Sequence, residues 1–158
     1  MAKEYIEVSK RIAPPEGAGW YVERIGTYTY LGHNKRGSTV LLGPADAGLE
    51  NSFSPGDLLK IALAACAGMS TNGVVEAQLG ADFAQTIAID ATTHATEDRF
   101  ETFAERMLVD VADLSAAEFE ALKTAVEARL RNSCTISNTV EGDTSVNFAV
   151  VPAAHPTQ

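Results

Sequence analysis

The chain is poor in cysteine, tryptophan, histidine and positive charge. Its 158 residues include two cysteines, one tryptophan and three histidines, and 12 Lys and Arg stand against 21 Asp and Glu for a net charge of −9. So acidic a chain lacks the basic surface that nucleic acid or an anionic membrane requires. It has no run of about 18 apolar residues, so no segment is expected to span a membrane. No CxxC pair occurs, which argues against a thioredoxin-like motif. His33, His94 and His155 show neither HxH nor HExxH spacing, so no metal site is expected, and no glycine-rich phosphate cradle is present. The N-terminal stretch MAKEYIEVSKRIAPPEGAG is charged, is broken by Pro14 and Pro15, and lacks the apolar centre of a signal peptide. The expected location is therefore cytoplasmic, where thiols stay reduced. Two cysteines in that setting are either small packing residues or redox groups.

What is present has an ordinary globular balance, with 46% hydrophobic and 21% charged residues. One domain is expected over residues 20–152, preceded by an arm at 1–19 and followed by a flexible tail at 153–158. WYVERIGTYTYL (20–31) is rich in aromatic and β-branched residues and reads as a strand. GHNKRG (32–37) carries turn residues, and STVLL (38–42) returns as a second strand. Ser54, Pro55 and Asp57 then supply a capping hydroxyl, a first-turn proline and an acid three residues after the cap. They predict a long helix ending at Gly80, with Leu59, Ala62, Leu63, Cys66, Met69 and Gly73 on one face. Only Lys60 and Glu76 are charged between residues 58 and 79, so this helix should be mostly buried. Gly68 and Gly73 each cost about 1 kcal/mol of helix stability relative to alanine, which suggests a close neighbour.

Residues 83–95 and 102–112 alternate as strands, and Ser115 with Glu118 opens a second capped helix. Its apolar stripe is Phe119, Leu122, Val126 and Leu130, and it should stop near Arg131 and Asn132. Thr144 to Val151 reads as a last strand. The expected class is α+β, with antiparallel sheet packed on two helices. The first helix is apolar on more sides than one small sheet can cover, which predicts that a second copy buries the rest.

Cys66 lies mid-helix between Ala65 and Ala67, and Cys134 follows the second helix in NSCTISNT. An ordinary thiol is only about 3% ionised at neutral pH, and apolar burial lowers that fraction further. Ionising it by roughly 90% requires about 3.4 kcal/mol of differential stabilisation. A guanidinium held by a carboxylate could supply this, so a reactive Cys66 calls for a nearby cation. Arg24, Arg36, Arg99, Arg106, Arg129 and Arg131 are all available for the role.

SPGDLLKIALAACAGM (54–69) resembles the reactive-cysteine helix of the OsmC/Ohr family, the osmotically induced and organic-hydroperoxide-resistance proteins. NSCTISNTVEGDTSVNFAV (132–150) resembles that family's second cysteine region, and the element order over about residues 20–152 also follows the family. The resemblance implies an OsmC-like fold in an intertwined homodimer whose two chains line one pocket. It implies a thiol peroxidase that prefers organic or fatty-acid hydroperoxides over hydrogen peroxide, in oxidative stress defence. Cys66 would attack the O–O bond and become a sulfenic acid, Cys134 would close the disulfide, and a dithiol such as a lipoylated protein would restore both thiols. No metal, haem or flavin is implied. Arg36, in NKRG, matches the arginine that supports the thiolate.

In the organic-peroxide branch a glutamate follows the proline that starts the helix. Here that position is Gly56, and Asp57 or Glu50 are the candidate substitutes. The departure places the chain nearer the general OsmC branch than Ohr proper. It also leaves open a second role on the same scaffold, a module that binds a small molecule or lipid, or senses redox state, without efficient turnover.

Overall fold

A computed structural model of the chain describes residues 5–7, 11–45 and 48–153. Part of the expected arm and most of the expected tail, including His155, lie outside the described residues. The chain folds as two units, one comprising Met1–Leu58 with Asn147–Gln158 and the other Leu59–Val146.

The first unit is an antiparallel meander of β1 (Trp20–Gly26), β2 (Thr29–Asn34) and β3 (Thr39–Leu42), in that spatial order. Residues 20–31 therefore do not form one strand. The chain reverses at Thr27 and Tyr28, where Tyr28 adopts a left-handed backbone (φ 51°). The register slips between Arg24 and Gly26, a bulge that adds local twist. Ile25 and Thr29 are buried beside this turn. The second turn is the one the sequence indicates. Asn34 Oδ1 accepts from the backbone N–H groups of Arg36 (2.9 Å) and Ser38 (3.1 Å), and Gly37 takes the left-handed conformation (φ 83°) that glycine allows. The described part of the arm is tied to β1, with Ile6 N donating to Ile25 O at 2.7 Å and Arg11 paired with Glu23.

The second unit carries most of α1 (Pro55–Leu79), then β4 (Gln85–Thr93), β5 (Phe100–Val109), α2 (Ala116–Ser133) and α3 (Thr135–Glu141). Both long helices begin where their capping residues predict. Asp57 N donates to Ser54 Oγ at 3.1 Å while Ser54 N returns a bond to Asp57 Oδ2 at 3.1 Å. Ser115 and Glu118 form the same reciprocal box at α2. β4 and β5 pair antiparallel, with Ile87 opposite Met107 and Ile89 opposite Glu105. The class is thus α+β, with two small antiparallel sheets and three helices rather than two.

The buried stripe of α1 is Leu63, Ala64, Ala67, Thr71 and Val75. It is rotated from the predicted face, because Leu59 is exposed and Met69 is 76% exposed. The expectation of a mostly buried helix is not met within one chain, since only 28% of its most apolar window is buried. By length and composition alone α1 could cross a membrane, a test that core helices of soluble proteins also pass. Gly68 has the predicted close neighbour, since a Cβ there would meet Gln85 Nε2 at 3.1 Å and Ile87 Cδ1 at 3.2 Å. Gly73 has none, with nothing within 4 Å of the same position. The expected last strand, Thr144 to Val151, pairs with no strand among the described residues, and Val146, Phe148 and Val150 are each about nine-tenths exposed.

Candidate active site

Cys134 occupies a junction. It ends α2, donating its N–H to Leu130 O at 3.1 Å, and it starts α3, accepting from Asn138 N at 3.0 Å. Its backbone is extended (φ −80°, ψ 96°), so the chain kinks there, and its side chain makes no capping hydrogen bond. The first N–H groups of a helix have no partner within the helix. At α3 these donors turn to sulfur. The N–H groups of Ile136 and Thr135 bear on Cys66 and pull its pKa down, and the N–H of Ser137 pulls down that of Cys134.

Cys66 comes to the same point from the middle of α1, where it is half-buried, whereas Cys134 is fully buried. Both are free thiols, and each acts on the ionisation of the other. Ser70, one turn further along α1, places its hydroxyl 4.0 Å from Cys66 Sγ. Burial raises the Cys66 pKa, but the donors from Ile136, Cys134, Ser70 and Thr135 outweigh it and leave the thiol below its ordinary value. Cys134 moves the other way. Burial pushes it up, its bond to Cys66 and the negative charges of Cys66 and Glu105 push further, and the Ser137 N–H offsets only part. Two like groups in contact are thereby separated into a readier thiolate and a reluctant one.

A reactive Cys66 is expected to have a cation beside it. Among the described residues the groups that lower its pKa are neutral donors instead. Arg129 is the arginine tied to this stretch of α1, its Nε donating to Ser70 O at 3.1 Å. Arg99 pairs with Glu97, and Arg106 with Asp90. Arg36 stands exposed in the β2–β3 turn of the first unit, held by Asn34. Glu50 is exposed in the loop before α1. Asp57 takes up its capping role, its carboxylate accepting from both the N–H and the hydroxyl of Ser54. Of the five predicted residues, then, Cys66 and Cys134 meet within one unit, while Arg36, Glu50 and Asp57 belong to the other.

Sequence reasoning missed Ser70, Glu105 and the α3 amides. Ser70 could have been found from its position four residues after Cys66, since that spacing puts two side chains on one helix face. The amides could not, because no capping residue marks the start of α3. A cavity of about 480 Å³ is lined by Leu63, one turn before Cys66, and by Ser137, three residues after Cys134. Phe100, Phe103 and Val140 give it apolar walls, and Glu101, Glu105 and Glu141 give it acidic ones.

Comparison with known proteins places the fold in a family. An OsmC-like protein family model matches residues 48–149. Uncharacterized proteins from Mycobacterium tuberculosis and Mycobacterium bovis are each 35% identical over 131 residues, covering 83% of this chain and 94% of theirs. An OsmC-like protein of unknown function from Vibrio cholerae shares the fold at 15% identity (TM-score 0.54, covering 73% of this chain and 80% of that one). The organic hydroperoxide resistance protein OhrB of Bacillus subtilis does so at 18% identity (TM-score 0.51, covering 78% and 91%). The match across most of the chain, with both cysteines inside it, makes this chain a member of the OsmC-like protein family.

Proposed function

We propose that the protein is a cytoplasmic thiol peroxidase that reduces organic hydroperoxides in oxidative stress defence. The observation that carries this reading is the contact between Cys66 and Cys134 with opposite pKa displacements. The Cys66 thiolate attacks the terminal oxygen of the hydroperoxide and the O–O bond breaks. The alkoxide leaves and takes a proton to become the alcohol, and Cys66 is oxidised to a sulfenic acid. The Cys134 thiol then displaces water from that sulfenic acid and closes a disulfide. A dithiol, such as a lipoylated protein, supplies the two electrons and two protons that restore both thiols. Arg36, and Asp57 or Glu50, complete the site as expected from the family resemblance, with Arg36 supporting the thiolate.

The working unit in this reading is a homodimer. A groove of about 920 Å³ between α1 and β4, lined by Ile61, Met69, Phe83, Ile87 and Ile89, lies open. With the exposed Val146, Phe148 and Val150, it offers apolar surface that a second copy would cover.

Mixing reduced protein with cumene hydroperoxide and counting free thiols tests the reading. Loss of both thiols, with catalytic consumption once a dithiol is added, is the expected result. Persistence of both thiols while a control peroxidase turns over would sink it. The alternative, a module that binds or senses a small electrophile, is favoured by one observation: Gly56 replaces the expected acid, and Asp57 is engaged with Ser54. That alternative expects a stoichiometric Cys66 adduct by mass spectrometry and no steady-state consumption.

A further inference from the structure

The Ser70 hydroxyl sits between two acceptors. Its Oγ lies 4.0 Å from Cys66 Sγ, and it donates to Ser133 O at 3.3 Å. Ser133 is the last residue of α2 and is followed directly by Cys134. Arg129 Nε, also from α2, donates to Ser70 O at 3.1 Å, so the turn of α1 that bears Ser70 is held against α2 independently of the hydroxyl.

A hydroxyl has one hydrogen to give and two lone pairs. While Cys66 is protonated, Ser70 Oγ can accept from its S–H and keep its own hydrogen on Ser133 O. When Cys66 ionises, the S–H is gone and the sulfur carries a charge. Hydrogen bonds to charged acceptors are about twice as strong as neutral ones. Turning the hydroxyl hydrogen from Ser133 O to the sulfur then lowers the energy and moves no heavy atom.

We propose that Ser70 is a positioning residue whose hydroxyl hydrogen passes from Ser133 O to Cys66 Sγ as Cys66 ionises, stabilising the thiolate. The inference rests on the reading of Cys66 as the attacking thiol. No atom is transferred to or from Ser70; the Cys66 proton leaves to solvent and the hydroxyl only reorients. The lowered Cys66 pKa accords with this, since Ser70 is among the donors that overcome burial. The other groups facing the pair are the Cys134 thiol and the N–H groups of Thr135 and Ile136 at the α2–α3 junction. Glu105 of β5 bears on Cys134, and Arg129 of α2 holds the Ser70 carbonyl. None of them is a hydrogen-bond partner of the Ser70 hydroxyl.

The test follows alkylation of Cys66 in the reduced full-length protein against pH, by peptide mass spectrometry, for wild type, Ser70→Ala and Ser70→Thr. Ser70→Ala should move the midpoint to higher pH and slow alkylation at least about tenfold at neutral pH, the loss of one hydrogen bond to a charged group. Ser70→Thr keeps the hydroxyl and should keep the wild-type profile. An unshifted Ser70→Ala profile overturns the proposal, as does a Ser70→Thr profile shifted as far as alanine's. If the alanine variant does not fold, Ser70→Gly takes its place as the hydroxyl-free variant in the same comparison. Failure of the peroxidase reading is seen separately. A wild-type protein that leaves cumene hydroperoxide untouched removes that reading, while a raised Ser70→Ala midpoint in the same protein upholds the hydroxyl switch.

Discussion

At the scale of the residue, two thiols in contact are made unequal by which donors reach them. Cys66 collects two backbone N–H groups from α3, the Cys134 thiol and the Ser70 hydroxyl; Cys134 has the Ser137 N–H, deeper burial and the charge of Glu105. The sign of the effect sets an order of reaction. A thiol whose pKa is lowered has a larger thiolate fraction at every pH below its midpoint, and only the thiolate attacks. Cys66 should therefore alkylate at lower pH than Cys134 when both are followed as separate peptides. Glu105→Gln removes a negative charge that raises Cys134, so the Cys134 midpoint should fall while Cys66 stays reactive. Cys134 alkylating before Cys66 would reverse the assignment of attack and resolution.

At the scale of the element, local signals were legible and non-local ones were not. Both capping boxes were readable because a cap is decided by residues three apart. Ser54→Ala removes the acceptor of Asp57 N and should cost about 1 kcal/mol in urea unfolding; no loss of stability would mean the box adds nothing to α1. The break at Tyr28 was not readable, since tyrosine is not a residue that announces a left-handed turn. The start of α3 was hidden for a related reason, because its cap is a cysteine that forms no capping bond. The site divides along the same line. The two cysteines could be picked out in the sequence, but the neutral donors that lower the Cys66 pKa, the Ile136 amide first among them, are brought to it by the fold, which composition cannot reveal. The demand for a cation came from treating side chains as the sole source of positive potential, and the open end of a helix is another.

At the scale of the whole molecule, the apolar pattern predicts more burial than the chain shows. α1 was expected to be buried, and the segment from Thr144 to Val151 was expected to pair as a strand. Instead Met69, Val146, Phe148 and Val150 are left in solvent. The alternation of Val146, Phe148 and Val150 puts three large apolar side chains on one face of any extended strand. Covering such a side chain is worth about 1.5–3 kcal/mol each, enough in aggregate to hold two copies together once association costs are met. Sedimentation should then find a species of twice the chain mass. Phe148→Asp would force a charge into that cover and should weaken the dimer by more than about tenfold, while leaving the contact of Cys66 with Cys134, internal to one unit, intact. A wild-type chain that sediments as a monomer throughout would mean that the exposed face serves some other partner, and that any peroxidase activity resides in one chain.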